Sequence, residues 1–126
     1  MLLFAMLGVI LMVGSTALAR TVTVTEQDNG GGVVLAHGDD LAVSLKATSG
    51  TGYTWKVSKI DSSIIEQAGD PTYEQTGSAM PRATWNEITR FTAKSAGTGA
   101  LELGYSRPWE TDKPPAKIFT LSVIVK

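Results

Sequence analysis

Hydrophobic and polar residues alternate along most of this chain with a period of two. Residues 21–26 read TVTVTE, with Val22 and Val24 on one face. Leu41, Val43 and Leu45 alternate with Ala42, Ser44 and Lys46, and Tyr53, Trp55 and Val57 alternate with Thr54, Lys56 and Ser58. Leu101, Leu103 and Tyr105 form another such run, and Phe119, Leu121, Val123 and Val125 a closing one. This alternation predicts strands with one buried and one wetted face, the habit of antiparallel sheets. Residues 33–36, 63–68 and 85–93 supply weaker strand signals.

Turn chemistry separates the runs: Asp28-Asn29-Gly30-Gly31-Gly32, His37-Gly38-Asp39-Asp40, Ser49-Gly50-Thr51-Gly52, Ala96-Gly97-Thr98-Gly99 and Lys113-Pro114-Pro115. Glycine supplies positive φ and proline a fixed φ where a strand cannot continue. No segment carries a capped helical period. Seven to eight short strands at this spacing predict an all-β fold, an antiparallel sandwich of two sheets.

The first nineteen positions break the pattern. Residues 1–19 hold no charged side chain; an apolar run from Leu2 to Val13 gives way to small and polar residues and then Ala17-Leu18-Ala19. That order reads as a secretory signal with an A-x-A cleavage site before Arg20. The run is nearly long enough to remain as a membrane anchor, and the A-x-A decides for cleavage. The expected mature chain is one domain, 20–126, exported to the periplasm or beyond the cell, monomeric and without stable membrane association after signal removal.

Composition narrows the chemistry. The 126 residues carry 11 Lys and Arg against 12 Asp and Glu, one His and no Cys. A balanced charge gives no footprint for nucleic acid. The absence of Cys removes disulfides, a thiolate nucleophile and a Cys-based zinc site. His37 in AHGDD has no G-x-S-x-G elbow to serve, and Asp39 and Asp40 lie too close in sequence to surround an ion. Glu102 alternates outward between Leu101 and Leu103, which removes it as half of an acid–base pair with Glu110. The Gly-rich stretch 28–32 opens no helix, so it is no phosphate cradle. Neither enzyme activity nor a metal or cofactor is expected.

Two loops look built for recognition. Thr48-Ser49-Gly50-Thr51-Gly52-Tyr53-Thr54-Trp55 joins two strands across a glycine-bearing tip, and Tyr105-Ser106-Arg107-Pro108-Trp109-Glu110 ends another. Arg and Trp are enriched among binding hot spots. Trp55 falls on the inward phase and is expected in the core. Trp109 lies past a strand-ending proline and before a charged run, so it is expected to be exposed. Arg107 is expected at the rim, where a charge tunes association rate and salt dependence more than affinity.

These residues resemble the chagasin-like inhibitors of papain-family cysteine peptidases. The family's first loop carries N-P-T-T-G-Y/F-x-W; TSGTGYTW stands here, with Thr51, Gly52, Tyr53 and Trp55 matching. Thr48, Ser49 and Gly50 replace Asn, Pro and the first Thr. The family's late loop carries R-P-W/F, matched by Arg107-Pro108-Trp109. The resemblance covers the whole of 20–126. It departs in the middle loop, where the family's short Gly-rich string is replaced by a longer segment with one Gly, running from Gly77 through Ser78, Ala79 and Met80 to Pro81 and Arg82.

The resemblance implies an immunoglobulin-like sandwich whose three loops enter a peptidase cleft and block it reversibly and noncovalently. The implied contacts are Ser49, Gly50, Thr51, Gly52 and Tyr53 in the first loop and Arg107, Pro108 and Trp109 in the late loop. Gly77, Ser78, Ala79 and Met80 would make the middle-loop contacts. The competing reading is an envelope or secreted binding module for glycans or other ligands, with Trp109 and Tyr53 as its stacking platform.

Overall fold

The computed structural model describes residues 19–48, 50–75 and 84–126. Within them the chain forms nine strands: β1 (Thr21–Val24), β2 (Gly31–Leu35), β3 (Asp40–Thr48), β4 (Thr54–Lys59), β5 (Ile65–Gln67), β6 (Thr72–Gln75), β7 (Thr84–Ala93), β8 (Gly97–Ser106) and β9 (Lys117–Val125). One sheet runs β1-β3-β7-β5, with β6 also pairing β7; the other runs β2-β9-β8-β4. The inward phase of β3 is Leu41, Val43 and Leu45, and that of β9 is Phe119, Leu121, Val123 and Val125. All seven are buried between the sheets with Leu101, Leu103 and Phe91. The alternation read from the sequence is therefore the core.

Two pairings correct the purely antiparallel expectation: β1 lies parallel to β3, and β2 lies parallel to β9. The strand expected over 21–26 ends at Val24, and a capped 3₁₀ turn, Glu26–Asp28, carries the chain from β1 in one sheet to β2 in the other. Alternation encodes which face is buried but not strand direction, so the sequence could not show this. The strand β6 has every residue exposed, which left it without a periodic signal.

Register sets the two poles of the sandwich. Thr48 lies opposite Thr84, Thr54 opposite Ser106, and Tyr105 opposite Lys117. The strand ends at Thr48, Thr54, Gln75, Thr84, Ser106 and Lys117 therefore all lie at one pole. Chain corners such as Ala36–Asp39 occupy the other. Residues 1–18, which hold nearly all of the expected signal, lie outside the described residues, as do Ser49 and the middle-loop residues Gly77, Ser78, Ala79 and Met80. Among the described residues, no helix is long and apolar enough to cross a membrane.

Candidate functional site

The first loop is fixed from below by the sandwich. Trp55, buried as expected, donates its indole N–H to the Lys46 carbonyl at 3.0 Å. Its main-chain N–H donates to both carboxylate oxygens of Glu87, at 3.1 and 3.2 Å, while the Thr54 hydroxyl donates to the same carboxylate at 2.9 Å. Glu87 projects from β7 across the sandwich and is 1% exposed. Burial pushes its carboxyl above the usual range, partly offset by the hydrogen bonds from Trp55 and Thr54. Sequence reasoning missed this residue. Its signal is a carboxylate on the inward phase of Glu87, Thr89, Phe91 and Ala93, all buried.

The loop's own geometry is local and specific. The Thr48 N–H donates to the Tyr105 hydroxyl at 3.0 Å, and the Thr51 hydroxyl donates to the Thr48 carbonyl at 2.8 Å. Gly50 and Gly52 both hold φ of +82°, a region that disfavours side chains. Gly52 is constrained twice, because a Cβ there would sit 2.3 Å from Cη2 of Trp109. The indole of Trp109 thus lies over the first loop's backbone while remaining 66% exposed, as its place after Pro108 predicted.

Arg107 couples the two loops. Its Nε–H donates to the Thr51 carbonyl at 2.9 Å, and its guanidinium carbon lies 4.5 Å from the Tyr53 ring centroid. Nη1 donates to Glu110 at 3.3 Å, closing the turn in which the Glu110 N–H donates to the Arg107 carbonyl at 3.0 Å. Lys113 approaches the same carboxylate at 3.7 Å. Arg107 is therefore a half-buried strut rather than the rim charge expected from sequence. Tyr53 stacks on Tyr105 at 5.1 Å, and Trp55 lies 5.0 Å from Tyr105, so an aromatic column runs from the core to the loop. The Tyr53 ring already carries Tyr105 and a guanidinium, which leaves it unsuited to the glycan platform considered from sequence.

Beside the loop lies an apolar groove of about 430 Å³ lined by Ala47, Thr48, Gly50, Gly52, Tyr53, Tyr73 and Trp85. Tyr73 escaped the sequence reading because β6 lacks alternation, whereas Trp85 was read only as the start of the weak strand signal over 85–93. The Trp85 indole nitrogen is buried with no partner among the described residues. Away from this pole, His37 is exposed in a turn, and Glu102 accepts from the Ser58 hydroxyl at 2.9 Å.

A two-sheet sandwich presenting braced loops at one pole, with glycine backbone at the tip and an exposed indole beside it, defines a binding protein of the rigid-loop inhibitor class. Residues 34–123 match the Chagasin family peptidase inhibitor I42, and the chain belongs to that family. Its members are peptidase inhibitors, not enzymes. Among curated proteins, Amoebiasin-2 of Entamoeba histolytica is 27% identical over 104 residues, covering 82% of this chain and 84% of the relative. Amoebiasin-1 of the same organism is 26% identical over 107 residues, covering 83% and 100%. The crystal structure of the cysteine protease inhibitor EhICP2 from Entamoeba histolytica superposes with a TM-score of 0.75 at 23% identity, covering 86% of this chain and 97% of that one. That last likeness establishes the fold.

Proposed function

We propose that this protein is a reversible, noncovalent inhibitor of papain-family cysteine peptidases, and that its loops occupy the active-site cleft. The observation that carries the reading is the cross-braced pair of loops: Arg107 bonded to the Thr51 carbonyl, with Trp109 over Gly52. A loop braced in this way loses little ordering entropy on docking, and a standard protease–inhibitor interface buries roughly 1,600 Å² in total. Gly50, Thr51, Gly52 and Tyr53 present backbone to the cleft floor, and Ser49 is a further contact with the peptidase. Trp109 is the aromatic anchor, Arg107 and Pro108 hold it, and Gly77, Ser78, Ala79 and Met80 engage the cleft's other wall.

In this reading residues 1–19 direct export and are removed, so the inhibitor works as a monomer in the periplasm or outside the cell. The test titrates the purified protein against a panel of papain-like peptidases with a peptide substrate. Competitive inhibition, with the inhibitor recovered uncleaved, is expected. No inhibition at micromolar concentration across the panel overturns the reading.

A further inference from the structure

At the pole opposite the loops, one buried carboxylate organises the chain's entry into the fold. Asp39 is 3% exposed. Its Oδ2 accepts from the Ala36 N–H at 2.8 Å and from the Arg20 Nε–H at 3.1 Å. Its Oδ1 accepts from the main-chain nitrogen of Arg20 at 3.2 Å. The Arg20 carbonyl in turn accepts from the Asp40 N–H at 2.9 Å, so both main-chain polar groups of Arg20 are engaged. The strands begin at the next residue, Thr21. Arg20, the residue that follows Ala17-Leu18-Ala19, is thus tied to the fold through its main chain, and its nitrogen donates to a buried carboxylate.

We propose that the Ala19–Arg20 bond is a processing site, and that the α-ammonium released there forms an ion pair with Asp39. This rests on the export reading above. Water adds across the peptide bond; Ala19 leaves with the new carboxylate, and Arg20 keeps the nitrogen, which is protonated at neutral pH. A neutral amide hydrogen bond at 3.2 Å becomes a charge-assisted one at a part-buried site. Processing then clamps β1 onto the domain, and the mature inhibitor is more stable than its precursor. The pole concerned is the one that leaves the binding loops free.

The acceptor is suited to the role. The Ala36 N–H, followed by the main-chain and side-chain contacts of Arg20, holds the Asp39 carboxyl below the usual carboxylate range against the opposing effect of burial. Other charges at this corner have partners or face water. The Asp40 carboxylate accepts from the Thr92 hydroxyl, Lys94 pairs with Glu66 at 3.5 Å, and His37 is exposed. Lys126, whose N–H donates to the Leu35 carbonyl, brings the C-terminal end of the chain to the same corner. An ammonium that gains a partner has its pKa raised on folding. Its stabilisation is complete below the unfolded value of about 8 and is lost as pH rises through the folded value.

The experiment has two arms. The full chain is produced in a secreting host and the exported product's N-terminus is read by mass spectrometry; a start at Arg20 is expected. Because all nine strands lie within Thr21–Val125, 20–126 is then compared with a free and with an acetylated Arg20 amine. The free form should melt several degrees higher at neutral pH, and the gap should close in alkaline solution. The α-amine should titrate above its ordinary value by NMR. Asp39→Asn should abolish the gap, and the NMR titration decides if that variant does not fold. A product that keeps residues 1–19, or starts elsewhere, overturns the export reading and the proposal together. A start at Arg20 with equal melting and an ordinary amine pKa leaves export standing and overturns the pairing alone.

Discussion

Gly52 and Trp109 constrain one another across two loops that are far apart in sequence. The positive φ of Gly52 keeps the tip compact, and its missing Cβ gives the indole its seat. Because Trp109 packs one edge there and leaves most of its surface open, Trp109→Ala should weaken inhibition by roughly 2 kcal/mol or more, in the hot-spot range. Its stability should stay within about 0.5 kcal/mol of wild type by chemical denaturation. Unfolding of the variant would instead make Trp109 a core residue. Arg107 makes a different case. Arg107→Lys keeps the charge but loses the Nε bond to Thr51 and the planar stack on Tyr53. It should raise the inhibition constant roughly tenfold, about 1.4 kcal/mol, through faster dissociation. An unchanged constant would return Arg107 to the rim.

At the scale of elements, the site hangs on β4 and β7, which face each other across the sandwich. Glu87 accepts two donors from the strand that follows the first loop, and removing the acceptor leaves the buried Trp55 N–H and the part-buried Thr54 hydroxyl without it. Glu87→Ala should cost about 1–3 kcal/mol for each donor left unpaired. Glu87→Gln should lose much less, since its amide oxygen still accepts from the Trp55 N–H and its amide donates to the Thr54 hydroxyl. The pH dependence has a definite sign. Burial raises the folded pKa, so the folded state binds the proton more tightly than the unfolded chain. Wild-type stability relative to Glu87→Gln should therefore fall as pH rises from about 4 through the folded value. Denaturation of both proteins across that range checks it, and a difference that rises with pH would contradict the buried-carboxylate assignment. The strands with clean alternation, β3, β8 and β9, were legible in the sequence because each has one apolar inward face. The strand β7 was only weakly legible, since Glu87 and Thr89 occupy its inward phase. The short, wholly exposed β6 was not legible at all.

The whole molecule separates its tasks between poles. The two loops were readable because local chemistry marks them: glycine at the tip of the first, and proline ending a strand before Trp109 in the other. Thr51, Gly52, Tyr53, Arg107 and Trp109 do come together. The coupling through Arg107, the support from Glu87 and Tyr105, and the groove beside Tyr73 and Trp85 arise from long-range register, which no local pattern carries. The two parallel edge pairings were hidden for the same reason.

In the proposed function these loops close the peptidase's cleft over its nucleophile. The measurement that meets this most directly is the rate at which a small thiol alkylator modifies the catalytic Cys of a susceptible papain-like peptidase. A stoichiometric amount of this protein should protect the thiol, with protection lost in proportion to affinity for Trp109→Ala. Alkylation at the free-enzyme rate in a complex that is otherwise inhibited would place the contact away from the nucleophile and contradict the account.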